Sequence, residues 1–131
     1  MLIGTLFLKF YTQKMNISLT GMNAVICGST QGIGLAVAKE LSVLGARCFL
    51  LARNENMLQE ALFQLSVHVQ QQHEYCVADF SDNNAVNTAI KSIVRDHKIH
   101  ILINNTGGPV AGTITAATAN DFQDAFRQHL V

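Results

Sequence analysis

Charge is scarce in this chain. Only 14% of its 131 residues are Asp, Glu, Lys or Arg, and nine bases balance nine acids, leaving a formal charge of zero. No basic block stands anywhere in it, which removes the electrostatic footprint of a nucleic-acid or acidic-membrane partner. Cysteine is scarce as well. Cys27, Cys48 and Cys76 form no C-x-x-C pair, and an odd count does not suit a disulfide framework. Each lies in an apolar run and reads as a reduced core thiol of a cytoplasmic protein. Long apolar runs are missing too: Met1 to Leu8 falls far short of the roughly 18 residues a membrane span needs. It also lacks the basic start and small-residue cleavage site of a signal peptide. His68, His73, His97 and His100 show no metal-ligand spacing.

What is present is core-forming material. Apolar residues make up 49% of the chain, enough for one small packed domain and too much for disorder. No repeat, low-complexity tract or linker divides it. A second methionine, Met15, opens a more coherent segment, so residues 1–14 read as an extension ahead of a domain spanning 15–131.

From residue 22 onward, short apolar runs alternate with helical patterns. Asn23 to Cys27 predicts a buried strand. Ile33, Val37, Leu41 and Leu44 then share one helical face, closed by Gly45. Arg47 to Leu51 predicts the second strand. Asn54 can cap the next helix, with stripe Leu58, Ala61, Leu62, Leu65 and Val69. Glu74 to Ala78 is the third strand. Ser81 or Asp82 starts a helix with Val86, Ala89, Ile90 and Ile93 inward, and Ile99 to Ile103 is the fourth strand. After a glycine- and threonine-rich loop over 104–117, Thr118 and Asp121 form a capping box for a helix carrying Phe122, Ala125, Phe126 and Leu130. Strands separated by helices must run parallel with right-handed crossovers, so the fold class is α/β, a Rossmann-type doubly wound sheet truncated after about four strands. The fourth strand is left as an apolar edge that invites a partner.

Between the first strand and first helix lies Gly28-Ser29-Thr30-Gln31-Gly32-Ile33-Gly34. Backbone N–H groups at a helix start lack intrahelical partners and carry the positive end of the helix dipole, so this is where an anion belongs. Gly28 permits a sharp exit from the strand, Gly32 lets a pyrophosphate approach the backbone, and Gly34 lets the helix pack tightly on the sheet. Three glycines can also mark a plain turn; the strand before and the helix after favour the nucleotide reading.

The G-x-x-x-G-x-G spacing resembles that of the short-chain dehydrogenase/reductase family. Asp79 and Phe80 after the third strand, and Asn104-Asn105-Thr106-Gly107 after the fourth, resemble further motifs of the family. Leu51-Ala52-Arg53 stands at its ribose-reading position. The run Asn104 to Pro109 resembles the 3-oxoacyl-[acyl-carrier-protein] reductase branch. The resemblance implies that Ser29, Thr30 and Gln31 line the phosphates and that Ile33 lies under the adenosine or ribose. It implies further that Asp79 meets the adenine, that Asn105 and Thr106 approach the nicotinamide-side ribose, and that Asn104 braces neighbouring strands. At Thr106 the family usually has Ala; the side chain either crowds the cofactor or adds a hydrogen bond.

An NAD site normally offers a carboxylate at the end of the second strand. Here Ala52 and Arg53 replace it, and a guanidinium suits a 2′-phosphate, so NADP(H) is expected over NAD(H). Plainer readings stand beside these: Arg53 as a solvated strand-end cation, Asp79 as a helix cap, and Glu55 as either a ribose ligand or an ordinary first-turn acid.

The family's proton-donating Tyr-x-x-x-Lys is absent. Tyr11 is followed by Lys14, one residue too close, and Tyr75 by Asp79. His129 stands where many members place a relay Asn, and a half-buried structural histidine is the plainer reading. The expectation is therefore a dinucleotide-binding part of a carbonyl or 3-oxoacyl reductase, inactive alone, with oligomers possible. The alternative is a non-catalytic module that binds dinucleotide or a partner's sheet edge.

Overall fold

The computed structural model describes residues 17–68, 71–108 and 112–130. In chain order these form β1 (Asn23–Cys27), α1 (Gly32–Val43), β2 (Arg47–Ala52), α2 (Glu55–Phe63), β3 (Glu74–Val77), α3 (Asn83–Asp96), β4 (Ile101–Ile103) and α4 (Ala119–Leu130). The four strands make one sheet in the order β3-β2-β1-β4, parallel throughout. The α/β doubly wound architecture expected from the alternating pattern is what forms.

Side chains of β1 and β2 alternate between two buried faces, as strands covered on both sides must. Ala24, Ile26, Cys48, Leu50 and Ala52 pack beneath α1 and α2 with Ala38, Leu58, Ala61 and Leu65. Val25, Cys27, Phe49 and Leu51 face the other way, under Ala89 and Ile93 of α3. Two histidines extend the ladders beyond the strand starts. His73, just before β3, accepts the Cys48 N–H at Nδ1 (3.0 Å), while its Nε2 meets the Ser66 carbonyl (2.8 Å). His100, just before β4, accepts the Asn23 N–H at Nδ1 and donates its own N–H to the Asn23 carbonyl.

The helix ends follow their sequence signals. Gly45 takes φ +99°, and the N–H groups of Gly45 and Ala46 close onto the Ser42 and Leu41 carbonyls, a Schellman ending for α1. Asn54 caps α2 through the Met57 N–H, and Asp82 caps α3 through the Asn84 and Ala85 N–H groups. Thr118 and Asp121 bond each other reciprocally at the start of α4.

Two expectations need correction. The buried face of α1 is Gly34, Ala38 and Ser42, not the Ile33 stripe: Ile33 is 74% exposed, Val37, Leu41 and Leu44 half-buried. At Gly34 the approach is close enough that a Cβ would collide with the Gly28 carbonyl. β4 is shorter than expected, Ile101–Ile103, with Ile99 packed on the α3 side before pairing begins. In α4, Phe122 and Phe126 are 57% and 59% exposed. Leu102 of β4 is likewise 57% exposed, in keeping with an apolar edge. The proposed extension 1–14 and the stripe residue Val69 lie outside the described residues.

Candidate functional site

Because the strands are parallel, all four end on one edge of the sheet. The chain steps from β1 outward to β2 and β3, then returns to place β4 on the other side of β1. That reversal opens a crevice at the carboxyl ends of the strands. A cavity of about 710 Å³ lies there, and the segment after every strand contributes to its wall. Gly28, Thr30, Gln31, Gly32 and Ile33 come from the β1 exit; Ala52, Arg53, Asn54 and Met57 follow β2. Asp79 and Phe80 follow β3, and Asn105, Thr106, Gly107 and Gly108 follow β4.

The glycines divide into two kinds. A Cβ on Gly28 would lie 2.6 Å from the Asn105 carbonyl oxygen, and one on Gly34 would collide with the Gly28 carbonyl. These two permit the close approach of α1, β1 and the loop after β4. Gly32 differs. Its φ is +56°, yet a Cβ there would meet nothing within 4 Å, because the space beside it is the cavity. A ligand approaching the backbone would use that opening. The start of α1 is also electrostatically unspent: Gln31 offers no side-chain cap, and no acidic residue sits in the first turn. Its orphan N–H groups therefore remain available to an anion.

Ser29 stands behind the wall. It is fully buried and its hydroxyl donates to the Leu51 carbonyl at 3.4 Å. Strand bracing, expected of Asn104, belongs to its neighbour. Asn105 Nδ2 donates to the Gly28 carbonyl (3.1 Å) and reaches that of Cys27 (3.4 Å), whereas Asn104 is exposed. A single-residue shift in which amide faces inward cannot be read from Asn-Asn in the sequence. Ile33, out of place as a core residue, lies on the cavity wall.

Arg53 and Asp79 bring opposite charges to the cavity. Among the described residues no hydrogen bond or ion pair engages the Arg53 guanidinium. Asp79 is not a helix cap, since Asp82 performs that role. Instead its Oδ1 accepts the Ser81 N–H (2.9 Å) and hydroxyl (2.8 Å). Those bonds hold the Asp79 carboxyl below its usual range, with the Arg53 charge adding to them. Glu55 turns away from the cavity to the Tyr75 phenol. Gly108, within the Asn104 to Pro109 run, lines the wall, and so does Met57, which no motif singled out. Met57 carries the N–H that Asn54 caps, so the first turn after Arg53 was the signal for it.

Among the described residues, no group of three His, Cys, Asp or Glu side chains can hold a metal, and no helix is long and apolar enough to cross a membrane. The His129 side chain lies outside what is described.

Comparison with known proteins agrees with this geometry. A tropinone reductase homolog of Arabidopsis thaliana is 37% identical over 112 residues, aligning 80% of this chain with 40% of that protein. The hydroxysteroid dehydrogenase-like protein 1 of Gallus gallus is 38% identical over 87 residues, 66% of this chain and 26% of that one. Among solved structures, L-sorbose reductase from Gluconobacter frateurii, complexed with NADPH and L-sorbose, superposes with a TM-score of 0.74 at 32% identity, covering 89% of this chain and 44% of that one. An actinorhodin polyketide ketoreductase variant with NADPH gives 0.68 at 26% identity, over 79% of this chain and 40% of that one. The chain thus spans about two fifths of the length of such relatives. The short chain dehydrogenase family profile matches residues 22–130. A parallel sheet with its crevice at the switch point, a glycine loop at an uncapped helix start and this match over most of the sequence place the chain in the short-chain dehydrogenase family.

Proposed function

We propose that residues 15–131 form a dinucleotide-binding domain that holds NADP(H) in preference to NAD(H), serving reduction of a ketone or 3-oxoacyl group to its alcohol in the full-length protein. The observation that carries this reading is Arg53. It lines the cavity at the end of β2 with no ion-pair partner among the described residues, and no carboxylate occupies the neighbouring wall position, Ala52. A free guanidinium there suits a 2′-phosphate, and the L-sorbose reductase and ketoreductase structures both contain NADPH.

The cavity's chemistry fits such a group. N–H groups at the start of α1 receive a pyrophosphate beside Gly32, and Asp79 accepts from an adenine amine. Thr106 and Asn105 border the nicotinamide end. When bound, the nicotinamide supplies hydride; this chain's residues bind and orient it. The 131 residues contain no Tyr-x-x-x-Lys to supply a proton, so binding without turnover is expected of them alone. Free Cys27, Cys48 and Cys76 support a reducing, cytoplasmic setting. A second reading, a module whose sheet edge meets a partner, draws on exposed Leu102, Phe122 and Phe126.

Calorimetric titration with NADPH and NADH tests the cofactor assignment. The chain is expected to bind NADPH about tenfold or more tightly, the size of one charge-assisted contact of about 1.4 kcal/mol. Arg53→Ala is expected to erase the difference. Equal affinities in the parent chain would refute it.

A further inference from the structure

Glu55 stands two residues after Arg53, the acidic residue in the first turn of α2. Asn54 and Met57 on either side of it line the cavity, yet Glu55 does not. Its Oε1 accepts the Tyr75 phenol O–H at 3.0 Å, and the phenol oxygen accepts Gln59 Nε2 at 3.0 Å. Gln59 lies one turn after Glu55 on α2, so both ends of this chain of bonds are anchored to the same helix. Tyr75 pairs with Leu50 in the β2–β3 ladder, and its ring packs against the core beneath α1 and α2. The phenol is thus presented from the sheet at a fixed point.

We infer that Tyr75 is a positioning residue for cofactor specificity: it holds the Glu55 carboxylate outside the cavity and leaves Arg53 to the 2′-phosphate. This rests on the NADP(H) reading above. Released from Tyr75, Glu55, two residues along the chain from Arg53 and between the wall residues Asn54 and Met57, is free to turn toward the cavity. There it either pairs with the guanidinium or accepts the ribose hydroxyls. Both outcomes weaken the phosphorylated cofactor relative to the other. A purely structural role for the Glu55–Tyr75 bond, as support for the first turn of α2, predicts a change in stability and none in the affinity ratio.

The test is the ratio of NADPH to NADH affinity, measured by calorimetry in the parent chain, Tyr75→Phe, Glu55→Gln, the double variant and Arg53→Ala. Phe keeps the buried ring, so Tyr75→Phe retains the packing. It is expected to lower the ratio about fivefold, an effect that shrinks as salt screens the charges. Adding Glu55→Gln to Tyr75→Phe is expected to restore the parent ratio, because the released side chain then carries no charge. An unchanged ratio in Tyr75→Phe, alongside a lost preference in Arg53→Ala, overturns this inference and leaves the cofactor assignment standing. An unchanged ratio in both overturns the two together.

Discussion

The Asn105 side chain donates to the Gly28 carbonyl 3.1 Å away, joining the loop after β4 to the exit of β1 across 77 residues of sequence. Its amide also reaches the Cys27 carbonyl, and the Asn105 backbone partly offsets the burial that pushes the Cys27 thiol up. One residue thereby closes the floor of the cavity and covers two backbone acceptors at the point where β1 stops pairing.

Removing that bridge is expected to loosen the site and the fold together. Asn105→Ala costs about 1–2 kcal/mol, the loss of a part-buried amide bond with its acceptors left unmet. Asn105→Asp costs more, because a carboxylate would face two carbonyl oxygens. Urea unfolding of the variants measures both. Parent-like stability of Asn105→Asp would show that the bridge contributes nothing.

The glycines separate structure from ligand. Gly34→Ala would drive a methyl into the Gly28 carbonyl, so severe destabilisation or failure to fold is expected. Gly32→Ala meets no neighbour, and its left-handed backbone costs only about 1–2 kcal/mol. It is nonetheless expected to lose most dinucleotide affinity, because the methyl fills the opening beside the α1 N–H groups. Thermal melting and cofactor titration on the same two proteins distinguish the roles.

His73 is expected to carry its proton on Nε2, since Nδ1 accepts from Cys48 and Nε2 faces the Ser66 carbonyl. Nitrogen NMR of the ring reads the tautomer directly. His73→Leu strands a β-ladder N–H and is expected to cost about 1–3 kcal/mol. A proton found on Nδ1 would contradict the ladder extension.

Much of this was legible in the residues. Strand periodicity, Asn54, Gly45 and the Thr118–Asp121 box located the elements, because each is a local signal with a local cause. The α1 face was not. Counting large apolar side chains selects Ile33, whereas the helix turns Gly34, Ala38 and Ser42 inward, and at Gly34 a Cβ would collide with the Gly28 carbonyl. The motif spacing located Gly32, Arg53 and Asp79 at the cavity, but not the choice between Asn104 and Asn105, which depends on how β4 ends. Nor could it foresee that Tyr75, twenty residues away, would engage Glu55.

Acid is expected to act on the site through Asp79. Its carboxyl is held low by the Ser81 N–H first, then by the Ser81 hydroxyl and Arg53. A lowered folded value means that its contribution to stability is present above the unfolded value and is lost as pH falls through the folded one. Ser81→Ala removes the hydroxyl bond, so the Asp79 titration seen by carbon NMR is expected to move up toward the ordinary carboxylate range. An unmoved midpoint would mean that the hydroxyl does not hold it.

The central claim is that the crevice at the carboxyl ends of the strands binds the dinucleotide, with Arg53 reading the 2′-phosphate. Nitrogen NMR of the chain titrated with NADPH and, separately, NADH tests this most directly. Both cofactors are predicted to move the backbone signals of 28–34, 79–80 and 105–108, and only NADPH to move the Arg53 side-chain Nε. Shifts gathered instead along the groove of Cys76, Asn84, Thr88 and Ser92 on the far side of β3, or an Arg53 signal indifferent to NADPH, would contradict it.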